Sequence, residues 1–318
     1  MVTPHTHVVS AHEDGAIKLA VEQLIAGNLV ALPTETVYGL AADALNAKAV
    51  AKIYTAKGRP SHNPLICHVA NANMAERYVT IPKVAKQLMD IFWPGPLTLV
   101  LKQQPNNGVP TIVSANLPTL AVRCPATNVT HKIIEKLNRP IAAPSANTSG
   151  KLSPTSAADV LETLDGRLSL VLDGGNTSVG IESTIISVEG EKITLLRPGT
   201  VTVDEISEAV ELPVLDRDES QITAPGQLKS HYAPIATVRL NVIKKKNNEV
   251  LIGFADIQGD LTLSLDGNLA HAARDLFAIL RQADRLNPSA IAIAPIPNEG
   301  IGIAINDRLN RAAAPRDT

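Results

Sequence analysis

Cysteine is nearly absent. The 318 residues hold two, Cys67 and Cys124, each inside an apolar run and neither in a CxxC or mixed Cys/His spacing. This excludes a disulfide framework and a zinc-ribbon site, and leaves two buried free thiols as the expectation. Phe, Trp and Tyr together number eight. Single-stranded nucleic acid is held largely by bases stacked on aromatic side chains, so this scarcity argues against such a binder. No apolar run approaches the ~20 residues of a bilayer span, and the opening MVTPHTHVVSAHEDG has neither a basic leader nor an apolar signal core. A cytoplasmic location and no membrane partner are expected.

Standard chemical motifs are missing too. GGNTSVGIES has the glycine spacing of a phosphate loop, but Ile181 and Glu182 stand where Lys and Ser/Thr belong, and GIGIAI at Gly300 lacks its third glycine. There is no GxSxG, and no His/Cys/acid cluster has metal-ligand spacing. A covalent hydrolase and a tight metal site are therefore not expected.

The most informative scarcity is of acid. Between Ala44 and Ala158, thirteen Lys or Arg face three acids (Glu76, Asp90, Glu135), a net of +10, while the remainder carries 16 basic and 28 acidic residues, a net of −12. A surface of one sign concentrates counter-ions, so a polyanionic ligand is expected: nucleic acid or nucleotide phosphate, with the few aromatics favouring a small phosphorylated molecule.

What is present reads as two domains, since single cores stop growing at roughly 250 to 300 residues. A helix is expected over Asp14 to Gly27, and a second opens at an Asn46 cap and stops at Gly58. Apolar strand-like runs (LICHV, LTLVLK, LAVRCP, PIAAPSAN, LSLVLDGG, STIISV, ITLLRPG) then alternate with helical patterns, one carrying a capping box at Ser156 and Asp159. This is a mixed α/β domain over 1–210. A capping box at Thr202 and Glu205 opens its last helix, after which periodicity stops, and 211–235 reads as a linker or functional loop. From 236 to 318, four strands and a long helix from Asn268 to Leu286 predict a small α/β unit with parallel pairing.

Candidate site residues cluster in the acid-poor segment. AKGRPSHNPLICHV places Lys57 and Arg59 at a helix end, where cations meet the negative pole, with Pro60, Asn63 and Pro64 stiffening the exit. A point charge beside a planar fork suits phosphate oxygens. His68 lies in an apolar run, where a satisfied core histidine is the plainer reading. Arg123 ends a buried strand with no carboxylate within ten residues, so a ligand anion or a distant acid must balance it. APSANTSG and PTETVYGL place small polar groups where strands end, the usual location of ligand groups in open α/β sheets.

In order, ALPTETVYGLAADA, KGRPSHNPLICHV, WPGPLTLVL, LAVRCP, PIAAPSAN, VGIESTIIS and LLRPG resemble the YrdC-type L-threonylcarbamoyladenylate synthase family, and APGQLKSHYAP with the trailing α/β unit resembles its longer, two-domain branch. The resemblance implies a large YrdC-like domain with a twisted mixed sheet, and a small Rossmann-like C-terminal domain. It implies a reaction in which L-threonine, bicarbonate and ATP give threonylcarbamoyl-AMP and pyrophosphate, the donor for threonylcarbamoyladenosine in tRNA. Magnesium would arrive with ATP, and the product would pass to a tRNA threonylcarbamoyl transferase machinery, with weak tRNA binding left open. By resemblance, Lys57 and Arg59 hold the phosphates as the catalytic pair, with Asn63 nearby. Thr36, His68, Arg123, Ser183 and the Ala143 backbone surround threonine. Thr119, Ser145, Asn147, Ser153 and Arg197 line the nucleotide side, and His231 and Tyr232 fold over it as part of a lid. The family often has methionine and a further basic residue where this chain has Gln227 and Ser230, which implies a weaker grip on phosphate. An RNA-binding protein and a carbamoyl-phosphate-using carbamoyltransferase domain, as in hydrogenase-maturation proteins, are the alternatives.

Overall fold

Asn46 accepts hydrogen bonds from the backbone N–H of Lys48 and Ala49, opening the helix Ala47–Lys57, which Gly58 ends in the left-handed region at φ 60°. Capping boxes likewise open Ala157–Leu164 and Val203–Val210. This computed structural model describes residues 5–217 and 231–315.

The first unit is built on an eleven-stranded mixed sheet. Its spatial order is His7–Ser10, Leu170–Asp173, Val30–Leu32, Gly39–Asp43, Ile141–Ala142, Ile66–His68, Thr119–Arg123, Leu97–Lys102, Thr184–Glu189, Lys192–Arg197 and Val214–Asp216. The pairing brings distant positions to one rim. Ile66–His68 and Thr119–Arg123 run parallel with His68 opposite Arg123, while Leu97 starts its strand opposite Thr184, one residue after Ser183. Gly39, just past Thr36, bridges to Ser145. Helices and loops bury the other face in a core that includes Leu24, Leu40, Ile53, Leu88 and Ile133. Both cysteines are free and buried in it.

The second unit is a four-stranded parallel sheet, ordered Thr237–Arg239, Ala290–Ile293, Glu249–Gly253 and Leu261–Thr262. Two helices, Leu269–Arg285 and Ile301–Ala313, pack on each other. The last helix lies where the sequence suggests only an unsupported glycine motif. Gly302 is buried there, and a side chain would not fit because a Cβ would sit 2.0 Å from the Pro297 carbonyl oxygen. Val37, Leu152 and Ile181 of the first unit join Tyr232, Phe277 and Leu280 in one apolar cluster, so the two units share a core.

The boundary expected at 210 requires correction. Val214–Asp216 pairs in parallel with Ile193–Leu195, so the large sheet takes in part of the presumed linker. An apolar edge segment gains more by completing backbone hydrogen bonds than by remaining a loop. The middle of the expected lid, 218–230 with Gln227 and Ser230, lies outside the described residues. Among the described residues no helix is long and apolar enough to cross a membrane.

Candidate active site

The rim of the large sheet opens into a cleft whose walls come from both units. On one side stands Arg123. Its Nη1 donates to Thr36 Oγ1 at 2.9 Å, its Nε to the Gly95 carbonyl at 3.1 Å, and its Nη2 meets Glu35 Oε1 at 2.6 Å. Glu35 Oε2 accepts from the Ala126 N–H at 3.0 Å. Of the two partners open to Arg123, a ligand anion or a distant acid, the fold supplies the second: Glu35, brought from a distant strand exit to the end of the Arg123 strand. Thr36 Oγ1 also shares a 2.8 Å hydrogen bond with Thr34 Oγ1. Next to Arg123, His68 is buried with Nδ1 unpartnered. Burial, then the Arg123 charge, lower its pKa to about 3, so the ring is neutral. Ser183, hydrogen-bonded through Oγ to Thr98 Oγ1 at 2.7 Å, and Ala143 line the same cavity.

The cleft wall carries two more guanidinium groups. Arg59 donates from Nε to the Asn63 carbonyl at 3.1 Å and from Nη2 to the Pro64 carbonyl at 2.8 Å. The proline-stiffened turn folds back so that its own carbonyls grip the fork. Arg197 is held in the same fashion, through Nε and Nη2 to the Ser183 carbonyl at 3.1 and 2.9 Å. Among the described residues neither makes a salt bridge and neither uses Nη1 in a hydrogen bond, yet both line the cleft. Burial lowers the Arg59 pKa to about 10, which leaves it charged at neutral pH. Ser145 completes this wall.

Lys57 is not in the cleft. Its buried Nζ donates to the Ser145 and Asn147 carbonyls, and burial, with Arg59 next to it, pushes its pKa well below the usual lysine range. The side chain expected to hold phosphate thus braces the 145–147 loop from behind, through carbonyls of a loop whose Ser145 faces the cleft. Asn63 is fully buried with both side-chain amide atoms unpartnered, and Asn147 spends its amide nitrogen on the Thr148 and Lys151 carbonyls. Ser153 donates to Glu182 Oε1. These three stand behind the wall rather than on it. Thr119 begins the strand that Arg123 ends, and it lines a neighbouring groove with Lys102 and Pro118. An apolar cluster of Ile66, Val100, Ala121, Ile185 and Leu196 lies between the two hollows.

Three residues escaped sequence reasoning: Glu35 as the Arg123 partner, Glu182, and Arg308. Glu182 lines the cleft, taking Ser153 Oγ on one oxygen and Arg308 Nε at 3.0 Å on the other. Burial alone would raise its pKa, but Arg308, Arg197, the Ser153 hydrogen bond and His231 hold it at about 2. A glutamate set among Gly180, Ile181 and the TIIS run was the available signal, since a carboxylate in an apolar stretch needs a cation. His231 and Tyr232 close the cavity, their rings 4.1 Å apart. Burial lowers the His231 pKa to about 3 and raises the Tyr232 pKa to about 12.

Comparison with known proteins supplies the context. Residues 22–199 match the family described as "Telomere recombination", which groups Sua5, YciO and YrdC, and residues 201–314 match "Threonylcarbamoyl-AMP synthase, C-terminal domain". The threonylcarbamoyl-AMP synthase of Pyrococcus abyssi is 39% identical over 327 residues, covering 96% of each chain. That of Bacillus subtilis is 39% identical over 329 residues, covering 95% of this chain and 94% of its own. The crystal structure of P. abyssi Sua5 complexed with L-threonine superposes with a TM-score of 0.89 at 37% identity, covering 97% of this chain and 98% of that one.

Proposed function

The chain belongs to the threonylcarbamoyl-AMP synthase family, and from that premise we propose that its cleft converts L-threonine, bicarbonate and ATP into threonylcarbamoyl-AMP and pyrophosphate. The observation that carries the reading at this site is the pair Arg59 and Arg197. Each is clamped along one side by carbonyls, with a nitrogen unengaged on the cavity that Arg123 shares. Cations immobilised before the ligand arrives spend little ordering entropy on binding it.

Threonine enters with its carboxylate toward Arg123 and its hydroxyl among Thr36, His68 and Ser183. The neutral imidazole of His68 can accept or donate there without adding charge. The threonine amine captures bicarbonate, releasing water and leaving a carbamate. A carbamate oxygen then attacks the α-phosphorus, the bond from the α-phosphorus to its bridging oxygen breaks, and pyrophosphate departs. No protein nucleophile is required. Arg59 and Arg197 bear the charge that develops on the phosphates, and orientation with electrostatic stabilisation does the rest. The base extends over the apolar strip toward Thr119. His231 and Tyr232 cover the reacting atoms and keep water from the mixed anhydride.

Magnesium is part of this proposal as the counter-ion of ATP. Both carboxylates at the cleft, Glu35 and Glu182, are already committed to arginines, so the phosphates themselves are the ion's natural ligands. Delivery of the product to a tRNA-modifying transferase, direct tRNA contact and a cytoplasmic location belong to the same proposal. The test is pyrophosphate release from MgATP with threonine or bicarbonate omitted in turn. Release that requires both supports the reading, and carbamoyl phosphate consumption without threonine overturns it.

A further inference from the structure

We propose that Arg308, on the last helix of the C-terminal domain, is a positioning residue of the cleft that holds the Glu182 carboxylate away from Arg197 and so keeps the Arg197 guanidinium open to phosphate. This rests on the reading of the cleft as a nucleotide site and adds to it a task for the second domain.

Arg308 is the largest fully buried side chain among the described residues. A buried guanidinium survives only where its charge and donors are matched. Arg308 Nε donates to Glu182 Oε2 at 3.0 Å, Nη2 to the Glu182 carbonyl at 3.4 Å, and Nη1 to Asp307 Oδ2 at 2.7 Å. Its guanidinium also lies 5.5 Å from the centre of the Tyr232 ring, which packs in addition on His231 and Phe277. One side chain from the C-terminal domain therefore touches both an acid of the cleft wall and the aromatic ring that closes it.

The consequence follows from what Glu182 would do alone. Its neighbour in the chain, Ser183, is the residue that grips Arg197 through carbonyl and hydroxyl. Glu182 is thus one residue from a guanidinium that has an unengaged nitrogen, and it lowers its own energy by swinging to that nitrogen if nothing else satisfies it. Ser153 on one oxygen and Arg308 on the other prevent this. Without Arg308, the carboxylate and an incoming triphosphate compete for the same cation.

A double-mutant cycle on the full chain tests the idea, with ATP binding and threonine binding measured separately by calorimetry. Arg308→Gln is expected to weaken ATP binding about tenfold or more, while threonine binding changes by less than about threefold. Glu182→Gln, which removes the competing charge but keeps the hydrogen-bonding shape, is expected to bind ATP at least as tightly as the parent. The pair R308Q/E182Q is expected to regain ATP binding relative to R308Q. If the double variant binds ATP as poorly as R308Q, or if E182Q alone loses ATP binding, Arg308 acts by packing and the proposal falls. Should R308Q not fold, Arg308→Lys with and without E182Q reads the same coupling. A parent protein that turns over with threonine and bicarbonate but shows no rescue overturns this inference alone, whereas a parent that binds no ATP overturns the functional reading with it.

Discussion

Arg123 and Glu35 stand 88 residues apart in the chain and meet with Nη2 2.6 Å from Oε1, both buried at the rim of the cleft. The guanidinium is therefore oriented and charge-balanced before any ligand arrives. A bound carboxylate would add to this arrangement rather than create it.

Arg123→Ala strands the Glu35 carboxylate, and breaking a buried pair from one side costs about 3–5 kcal/mol. The urea midpoint should fall accordingly, and adding Glu35→Gln should restore part of it. Arg123→Lys, which keeps a charge but loses the fork, should raise the threonine KM with a smaller effect on stability. A threonine KM equal to the parent's would remove Arg123 from the threonine site.

Arg59 and Lys57 should separate cleanly. Arg59 has no acid to strand, but it also donates to two buried carbonyls, so Arg59→Ala should lower the urea midpoint as well as raise the ATP KM. Lys57→Met removes a donor from two buried carbonyls, each worth about 1–3 kcal/mol when unsatisfied. It should lower stability first and activity through the displaced 145–147 loop. An ATP KM raised as much by Lys57→Met as by Arg59→Ala would contradict the geometry, since Arg59 lines the cleft and Lys57 does not.

Acid should unfold the protein earlier than its carboxylates alone would require. His68 and His231 sit at about 3 against an ordinary 6.5. Between those values the unfolded chain binds protons that the folded protein refuses, so stability is complete above about pH 6.5 and declines toward pH 3. Glu182, at about 2 against an ordinary 4.5, adds a loss of the same sign below pH 4.5. Denaturation midpoints at pH 7.5, 6 and 5 measure the slope, and His231→Gln should flatten it. A midpoint independent of pH between 5 and 7 would refute the assignment.

At Gly180 the backbone of the first unit packs directly against that of the C-terminal domain. The Gly180 φ is +81° and a Cβ would lie 2.0 Å from the Arg274 carbonyl oxygen of the C-terminal domain, while the Gly180 N–H is hydrogen-bonded to the Thr36 carbonyl at 3.1 Å. Gly180→Ala forces the interface apart and strains the backbone, on the order of 1–3 kcal/mol. Faster proteolysis between the units and a joint fall in stability and pyrophosphate release are expected. An unaltered variant would show that the interface gives way without consequence.

What the sequence determined by itself is whatever a turn of chain can satisfy locally. Asn46, the Ser156/Asp159 box and the Thr202/Glu205 box each bind N–H groups within three residues, so their helices are legible from spacing, as are the stop at Gly58 and the stripe of the long helix Leu269–Arg285. The cationic excess was legible in the same way, because it is a property of composition. Which cations face a ligand was not. Lys57 turned to the 145–147 carbonyls, Arg123 to Glu35, and Glu182 to Arg308 across 126 residues, leaving Arg59 and Arg197 with unengaged nitrogens. A buried charge must find its partner among the groups that strand order and domain packing place beside it, and that neighbourhood exists only once the chain has folded.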